Sequence, residues 1–70
     1  MTAFATVKVD LSTTVVTVVP DDGEPELYGA GITRSTAAEA IAPGGWRLPE
    51  RPKWSLLTPP DGFWCRAVKP

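Results

Sequence analysis

Polar and apolar side chains alternate along residues 4–11, Phe-Ala-Thr-Val-Lys-Val-Asp-Leu. One face of this segment would carry Ala5, Val7, Val9 and Leu11. Alternation with a period of two predicts a β-strand with one buried face. The following run, residues 14–19, is rich in β-branched residues, which favour strands. We therefore predict an antiparallel hairpin, whose turn type stays open because no Asn-Gly or Asp-Gly pair is present.

The middle of the chain predicts a loop, a weaker strand and a helix. Residues 20–25, Pro-Asp-Asp-Gly-Glu-Pro, have the composition of a loop. A third strand is predicted over residues 27–32, although Gly29 and Gly31 weaken it. Thr36 and Glu39 have the spacing of a capping box, which predicts a helix start. Residues 43–45, Pro-Gly-Gly, should end that helix after about two turns.

A second hairpin is predicted at the end of the chain. Residues 53–57 and 63–69 flank Thr-Pro-Pro-Asp-Gly, a tight-turn sequence. In the last strand, the odd-numbered side chains share one face and the even-numbered side chains share the other. The first set is Phe63, Cys65 and Ala67, and the second is Trp64, Arg66 and Val68. The expected strand thus has one apolar face and one mixed face.

The predicted element order is strand, strand, strand, helix, strand, strand. It indicates a small α+β domain over residues 1–70, with a mainly antiparallel sheet of four or five strands and one short helix. The same order occurs in OB-like small barrels, which is the alternative fold.

The size of the chain limits its core. Seventy residues bury only about 60% of the unfolded surface. Cys65 is the single cysteine and histidine is absent, which excludes an internal disulfide and the usual structural zinc site. No run approaches the roughly 20 apolar residues of a membrane span. We expect a cytoplasmic protein with no membrane partner.

The composition indicates a high-GC genome. Asn, Gln and His are absent, while Gly, Ala, Arg and Pro together number 26. In size and composition the whole chain resembles the short orphan proteins of bacteriophages that infect high-GC bacteria. This resemblance carries no motif and implies no fold or site residue.

Few residues in the chain are suited to catalysis. Cys65 lacks a histidine to activate it, and its position on a predicted strand favours a buried structural thiol. The four carboxylates between residues 21 and 26 lack calcium-loop spacing, which favours a solvated acidic turn. We therefore expect a protein that is not an enzyme and that uses no cofactor or metal.

Charge is unevenly distributed along the chain. Residues 1–45 carry two cations and six carboxylates, for a net charge of −4, and residues 46–70 carry five cations and two carboxylates, for +3. All three tryptophans lie in the basic part. Because Trp and Arg dominate interface hot spots, the candidate partner-binding residues are Trp46, Arg47, Arg51, Trp54 and Trp64.

Three functions remain open at this point. The preferred hypothesis is a non-enzymatic module that docks on a larger, unidentified protein and modulates it, and a phage factor acting on a host protein fits the composition. An OB-like binder of single-stranded nucleic acid would use the same residues, but a net charge of −1 disfavours it. The third is a small structural or assembly subunit, seen as a homo-oligomer. Alternatively, the tryptophans form the hydrophobic core of a chain that has few other large apolar residues.

The segment 47–52 links the predicted helix to the second hairpin. Its Pro-x-x-Pro spacing matches ligands of polyproline-binding domains. Its position between Trp46 and Trp54 favours a rigid, extended connector whose tryptophans fix its ends.

Overall fold

The computed structural model describes residues 2–29, 34–56 and 62–70. The elements are β1 (Ala3–Asp10), β2 (Val15–Pro20), β3 (Glu26–Tyr28), α1 (Arg34–Ile41), a 3₁₀ turn (Ala42–Gly44), β4 (Ser55–Leu56) and β5 (Gly62–Lys69). The five strands form one antiparallel sheet in the order β3-β2-β1-β5-β4. The predicted α+β class, element order and two hairpins are confirmed.

The core lies on one face of this sheet, where alternate side chains of the central strands point. Ala5, Val7 and Val9 of β1 are fully buried, as the alternation predicts. The other buried hydrophobic residues are Val16, Val18, Ala37, Ile41, Trp46, Phe63, Cys65 and Ala67. Leu11 was expected on this face but is 53% exposed, because β1 ends at Asp10 and Leu11 already belongs to the turn.

The β1–β2 turn is held by a side chain. Asp10 Oδ1 accepts hydrogen bonds from the backbone N–H groups of Ser12, at 2.9 Å, and Thr13, at 3.3 Å. The hydrogen bond that Asp10 accepts from the Ser12 hydroxyl, together with these two backbone bonds, lowers the pKa of Asp10. The last turn residue, Thr14, has a φ of 58°, which is a costly left-handed conformation for a β-branched residue. The turn therefore works without the Asn-Gly or Asp-Gly that would have identified it.

Helix α1 covers the core face with Ala37 and Ile41. Its first residue is Arg34, two positions before the start that Thr36 and Glu39 predict. The helix ends after about two turns, as expected. The 3₁₀ turn follows it, and Gly45 at φ 85° donates its N–H to the Ala42 carbonyl at 2.9 Å. A left-handed glycine at this position redirects the chain.

Two strand predictions extend beyond the described residues. The third strand is observed at Glu26–Tyr28. It ends before Gly29, whose φ is 45°, and the last part of its predicted span, residues 30–32, lies outside the described residues. The turn of the second hairpin lies outside them as well. No helix in the described ranges is long and apolar enough to cross a membrane.

The outer strand beside β5 is interrupted. Arg47 and Val68 exchange both backbone hydrogen bonds, at 2.8 and 2.9 Å, and pairing resumes at Ser55 with Trp64. Seven residues, 48–54, lie between these two contacts, whereas three, 65–67, lie opposite them. The predicted connector is therefore a large bulge in an edge strand. We refer to residues 48–54 as the connector.

The sheet is strongly curled. Trp46 Nε1 donates a hydrogen bond to Glu26 Oε1 at 3.1 Å, although Glu26 lies on edge strand β3 and Trp46 precedes the segment on the far side of β5. In a flat sheet four strand spacings would separate them by ~19 Å. Two side chains do not span that distance, so the sheet bends around the indole. The edges β3 and β4 are not paired with each other, so the described strands form an open sheet instead of the alternative OB-like barrel.

The conformation of Thr14 predicts a stabilising substitution. Thr14→Gly should raise the free energy of unfolding by about 0.5–1 kcal/mol, because relief of the left-handed strain exceeds the entropy cost of glycine. Urea unfolding followed by circular dichroism measures the change. The matched control is Thr13→Gly, which should lower stability, since Thr13 does not have a positive φ. Equal effects of the two substitutions would contradict the argument.

Close packing at Gly44 predicts that a substitution there destabilises the protein. A Cβ added to Gly44 would collide with Tyr28 Oη, so Gly44→Ala should cost about 1–3 kcal/mol of unfolding free energy. The same substitution in a Tyr28→Phe background should cost less, because the nearest colliding atom is gone. A double-mutant cycle by urea unfolding measures the difference, and strict additivity would show that the two residues do not press on each other.

Candidate functional site

The five predicted partner-binding residues are divided between the two faces of the sheet. Trp46 belongs to the buried core and is 3% exposed. Trp54 is half-buried and packs against the core. Trp64 points to the opposite, uncovered face, because it alternates with the buried Phe63 and Cys65. Arg47 and Arg51 are both exposed. The structure brings Arg51 together with Trp64 and separates both from the indole of Trp46.

Trp46 is fixed by a polar cluster inside the curl of the sheet. Glu26 Oε1 accepts hydrogen bonds from the Tyr28 hydroxyl, at 2.5 Å, and from Trp46 Nε1. Lys69 Nζ lies 5.4 Å from the centroid of the Trp46 ring, a cation–π distance. The hydrogen bond from Tyr28, the one from Trp46 and the charge of Lys69 together lower the pKa of Glu26. The bond to Glu26 raises the pKa of Tyr28.

Trp54 fixes the other end of the connector. Its ring meets that of Phe63 edge-on, with the centroids 5.2 Å apart and the planes at 83°, a favourable aromatic geometry. Leu48 is also half-buried against the core. The inward anchoring of Leu48 and Trp54 explains why the residues between them bulge outward.

The connector and β5 enclose a groove on the uncovered face of the sheet. Its volume is about 470 Å³. It is lined by Pro49, Arg51, Lys53, Ser55, Trp64 and Arg66. We call this the β5 groove. It combines one indole and one proline with three cations, whereas the described residues contribute no carboxylate to its lining.

Arg66 is held in place at the rim of the β5 groove. Its guanidinium makes two hydrogen bonds to the Asp21 carboxylate, at 2.9 and 2.7 Å, and one to the Thr6 hydroxyl at 2.9 Å. This bidentate contact lowers the pKa of Asp21 and raises that of Arg66. About half of each side chain is exposed, so the pair contributes more to orientation than to stability.

An apolar patch continues from the groove. A hollow of about 170 Å³ is lined by Phe4, Pro49, Arg66, Ala67 and Val68. Phe4 is 51% exposed, although it lies on a central strand beside Val68. An aromatic side chain left open on a central strand is a typical contact residue of an interface.

A second groove lies on the helix side of the connector. It measures about 540 Å³ and is lined by Ala38, Ala42, Trp46, Arg47, Leu48, Pro49, Glu50 and Pro52. Arg47 faces this groove and not the β5 groove. Because it holds one cation and one carboxylate, it has no charge preference comparable to that of the β5 groove.

The described residues contain little chemistry suited to catalysis. Burial raises the pKa of the Cys65 thiol to about 11, which keeps it protonated and unreactive at neutral pH. The prediction of a buried structural thiol is confirmed. Within the described ranges, no group of three or more His, Cys, Asp or Glu residues is placed to hold a metal ion.

Sequence reasoning left several groove residues out of the candidate site. Arg66 follows Trp64 by two positions and shares its strand face, a signal that was available from the alternation. Lys53 and Pro49 had no such signal, because their positions depend on how far the connector bulges. Glu26 was assigned to a solvated acidic turn, whereas it is the acceptor that holds Trp46.

The chain matches no protein-family model, no curated protein and no solved structure.

The polar cluster around Glu26 predicts a pH-dependent stability. Because the pKa of Glu26 is lowered in the folded state, its carboxylate stabilises the fold at pH values above the ordinary glutamate pKa of about 4.3. This contribution is lost as the pH falls through the lower pKa of the folded state. Glu26→Gln should cost about 1 kcal/mol at pH 7, because a neutral amide is a weaker acceptor than a carboxylate. The difference from the wild type should shrink on acidification. Urea unfolding at several pH values measures it.

The matched control for this experiment is Glu39→Gln, which changes an exposed carboxylate on α1. It should have little effect at any of these pH values. If Glu39→Gln lowered the free energy of unfolding as much as Glu26→Gln, the change in net charge, and not the Trp46 contact, would be the cause of the destabilisation.

Proposed function

We propose that this protein is a non-enzymatic protein-binding module that docks on a larger protein through the β5 groove. The observation that supports the proposal is the groove itself, in which Trp64 and Pro49 lie among Arg51, Lys53 and Arg66. Trp and Arg are the residue types that contribute most to binding energy at protein interfaces. The adjoining patch around Phe4 extends the apolar contact area.

Both sides of the groove are anchored to the rest of the fold, which favours binding without a large ordering cost. Trp64 lies on β5, which is paired to β1 over eight residues. The connector is anchored at both ends by side chains that pack against the core, Leu48 and Trp54. In this proposal Trp46 and Trp54 position the connector, and Trp64 with Arg51 contacts the partner.

Charge favours a protein partner over a nucleic acid. Asp21 lies at the rim of the β5 groove through its contact with Arg66. Asp22 and Glu24 follow in the same exposed loop. Acidic side chains at this position repel a polyanion that runs past the groove, and the net charge of the chain is −1. A folded protein that presents local patches of both signs meets no such repulsion.

Selection from a displayed library of protein fragments tests the proposal. Ligands selected on the wild type should bind Trp64→Ala at least about tenfold more weakly, the loss expected when a central hot-spot side chain is removed. The matched control is Leu27→Ala, which removes an apolar side chain that is 75% exposed and does not line the groove. It should leave affinity within about twofold.

Circular dichroism and urea unfolding establish that both variants fold. Ligands that bind Trp64→Ala as tightly as the wild type would contradict the proposal. Binding to oligothymidylate that weakens steeply with salt, in place of protein ligands, would support the nucleic-acid hypothesis. A stable homo-oligomer that buries Trp64, seen by analytical ultracentrifugation, would support the assembly-subunit hypothesis.

A further inference from the structure

The backbone ladder beside β5 has a gap at Arg66. In an antiparallel pair, the backbone groups of alternate residues point to the same neighbouring strand. Val68 exchanges both of its hydrogen bonds with Arg47, and Trp64 faces Ser55. Arg66 lies between these two positions, so its N–H and C=O point to the same edge, where the described register has no residue opposite it.

The gap coincides with the β5 groove. The connector leaves the ladder after Arg47 and returns at Ser55, and the groove of about 470 Å³ lies between it and β5. A free donor and acceptor on a strand edge form a template for one more extended chain. The described part of the sheet thus has a short unpaired stretch between two paired positions on this side of β5.

We propose that the β5 groove takes an extended acidic segment of the partner protein, which pairs one residue with the backbone of Arg66. This inference rests on the proposed function and specifies how the partner is recognised. The pairing is limited to about one residue, because Arg47 and Ser55 close the ladder on either side.

Charge at the groove selects an acidic segment. Arg51 and Lys53 are exposed and line the groove, and neither forms a salt bridge with any residue that the structure describes. Lys8, on the neighbouring strand, is the register partner of Trp64 but does not line the groove, so its charge acts on the segment only at longer range. The carboxylate of the paired residue would lie between Arg51 and Lys53, beside the indole of Trp64.

The side-chain pattern of the segment follows from the pleat. A residue that pairs with Arg66 shares the side-chain face of Arg66, which is the uncovered face. Its two neighbours would point toward the core side, which is occupied by Leu48 and Trp54. Only small residues fit there, so the segment should carry one acidic residue at the paired position with small residues on both sides.

Nuclear magnetic resonance with defined peptides tests this inference. The probe is a capped peptide in which aspartate alternates with alanine, and the comparison peptide has lysine in place of aspartate. Titration of the acidic peptide should slow hydrogen exchange of the Arg66 amide by about tenfold or more at saturation. The Val68 amide is the internal control, because Arg47 already protects it in the free protein.

Charge-removing variants distinguish direct ion pairs in the groove from long-range electrostatic attraction by the whole protein. The double substitution Arg51→Gln/Lys53→Gln should weaken binding of the acidic peptide by about tenfold or more, whereas Lys8→Gln should change this affinity by less than about twofold. The lysine peptide should not protect the Arg66 amide. An equal loss from Lys8→Gln would overturn the contact and leave only long-range attraction.

Three results would overturn the inference. The first two leave the proposed function intact, and the third rejects it as well. An Arg66 amide already as protected as Val68 in the free protein would show that the gap does not exist. Library ligands that depend on Trp64, together with an acidic peptide that fails to protect Arg66, would keep the docking surface and reject the strand pairing. Tighter binding of oligothymidylate than of the acidic peptide would reject a protein partner altogether.

Discussion

The hydrogen bond from Trp46 to Glu26 is the interaction on which the rest of this fold depends. It joins edge strand β3 to the segment on the far side of β5, at 3.1 Å, and it holds only if the sheet curls. The curl gives a chain of 70 residues an interior large enough for an indole, which a flat sheet covered by one two-turn helix does not supply. Tyr28 and Lys69 complete this arrangement, since one donates to Glu26 and the other caps the ring of Trp46.

The same contact determines the shape of the surface. Trp46 immediately precedes the bridge between Arg47 and Val68, so fixing the indole fixes the point at which the outer strand begins. Trp54 fixes the point at which it resumes, through its edge-on contact with Phe63. Between these two anchors the connector has four more residues than the strand opposite needs. The excess residues bulge away, and the β5 groove is the space that they leave.

Charge is arranged on this surface so that attraction is local. The groove carries cations and the adjacent loop carries carboxylates, and the contact between Arg66 and Asp21 joins the two regions. Such an arrangement creates a short-range preference for an anionic group in the groove without a long-range field for polyanions. This is the physical basis for proposing a protein partner, and an acidic one, for a chain whose net charge is slightly negative.

The sequence by itself determined the local elements and the class of the fold. Alternation predicted β1 and β5 and their buried faces, β-branched residues predicted β2, and residues 43–45 predicted the end of the helix. These features depend on neighbours in the chain, whose side-chain period and backbone preferences are fixed locally. The uncovered face of β5, with Trp64 and Arg66, also followed from that period.

Only the tertiary structure decided which tryptophan serves which purpose. Trp46 and Trp64 both lie among cations in the sequence, yet one indole is buried against Glu26 and the other lines a groove. The difference arises from the curl of the sheet and from a bulge whose size depends on two distant anchors, Trp46 and Trp54. Neither is a local property, because the partner of Trp46 lies 20 residues away along the chain. A pattern with a period of two describes the faces of a strand, whereas the contact that bends a sheet is set by packing among several strands at once.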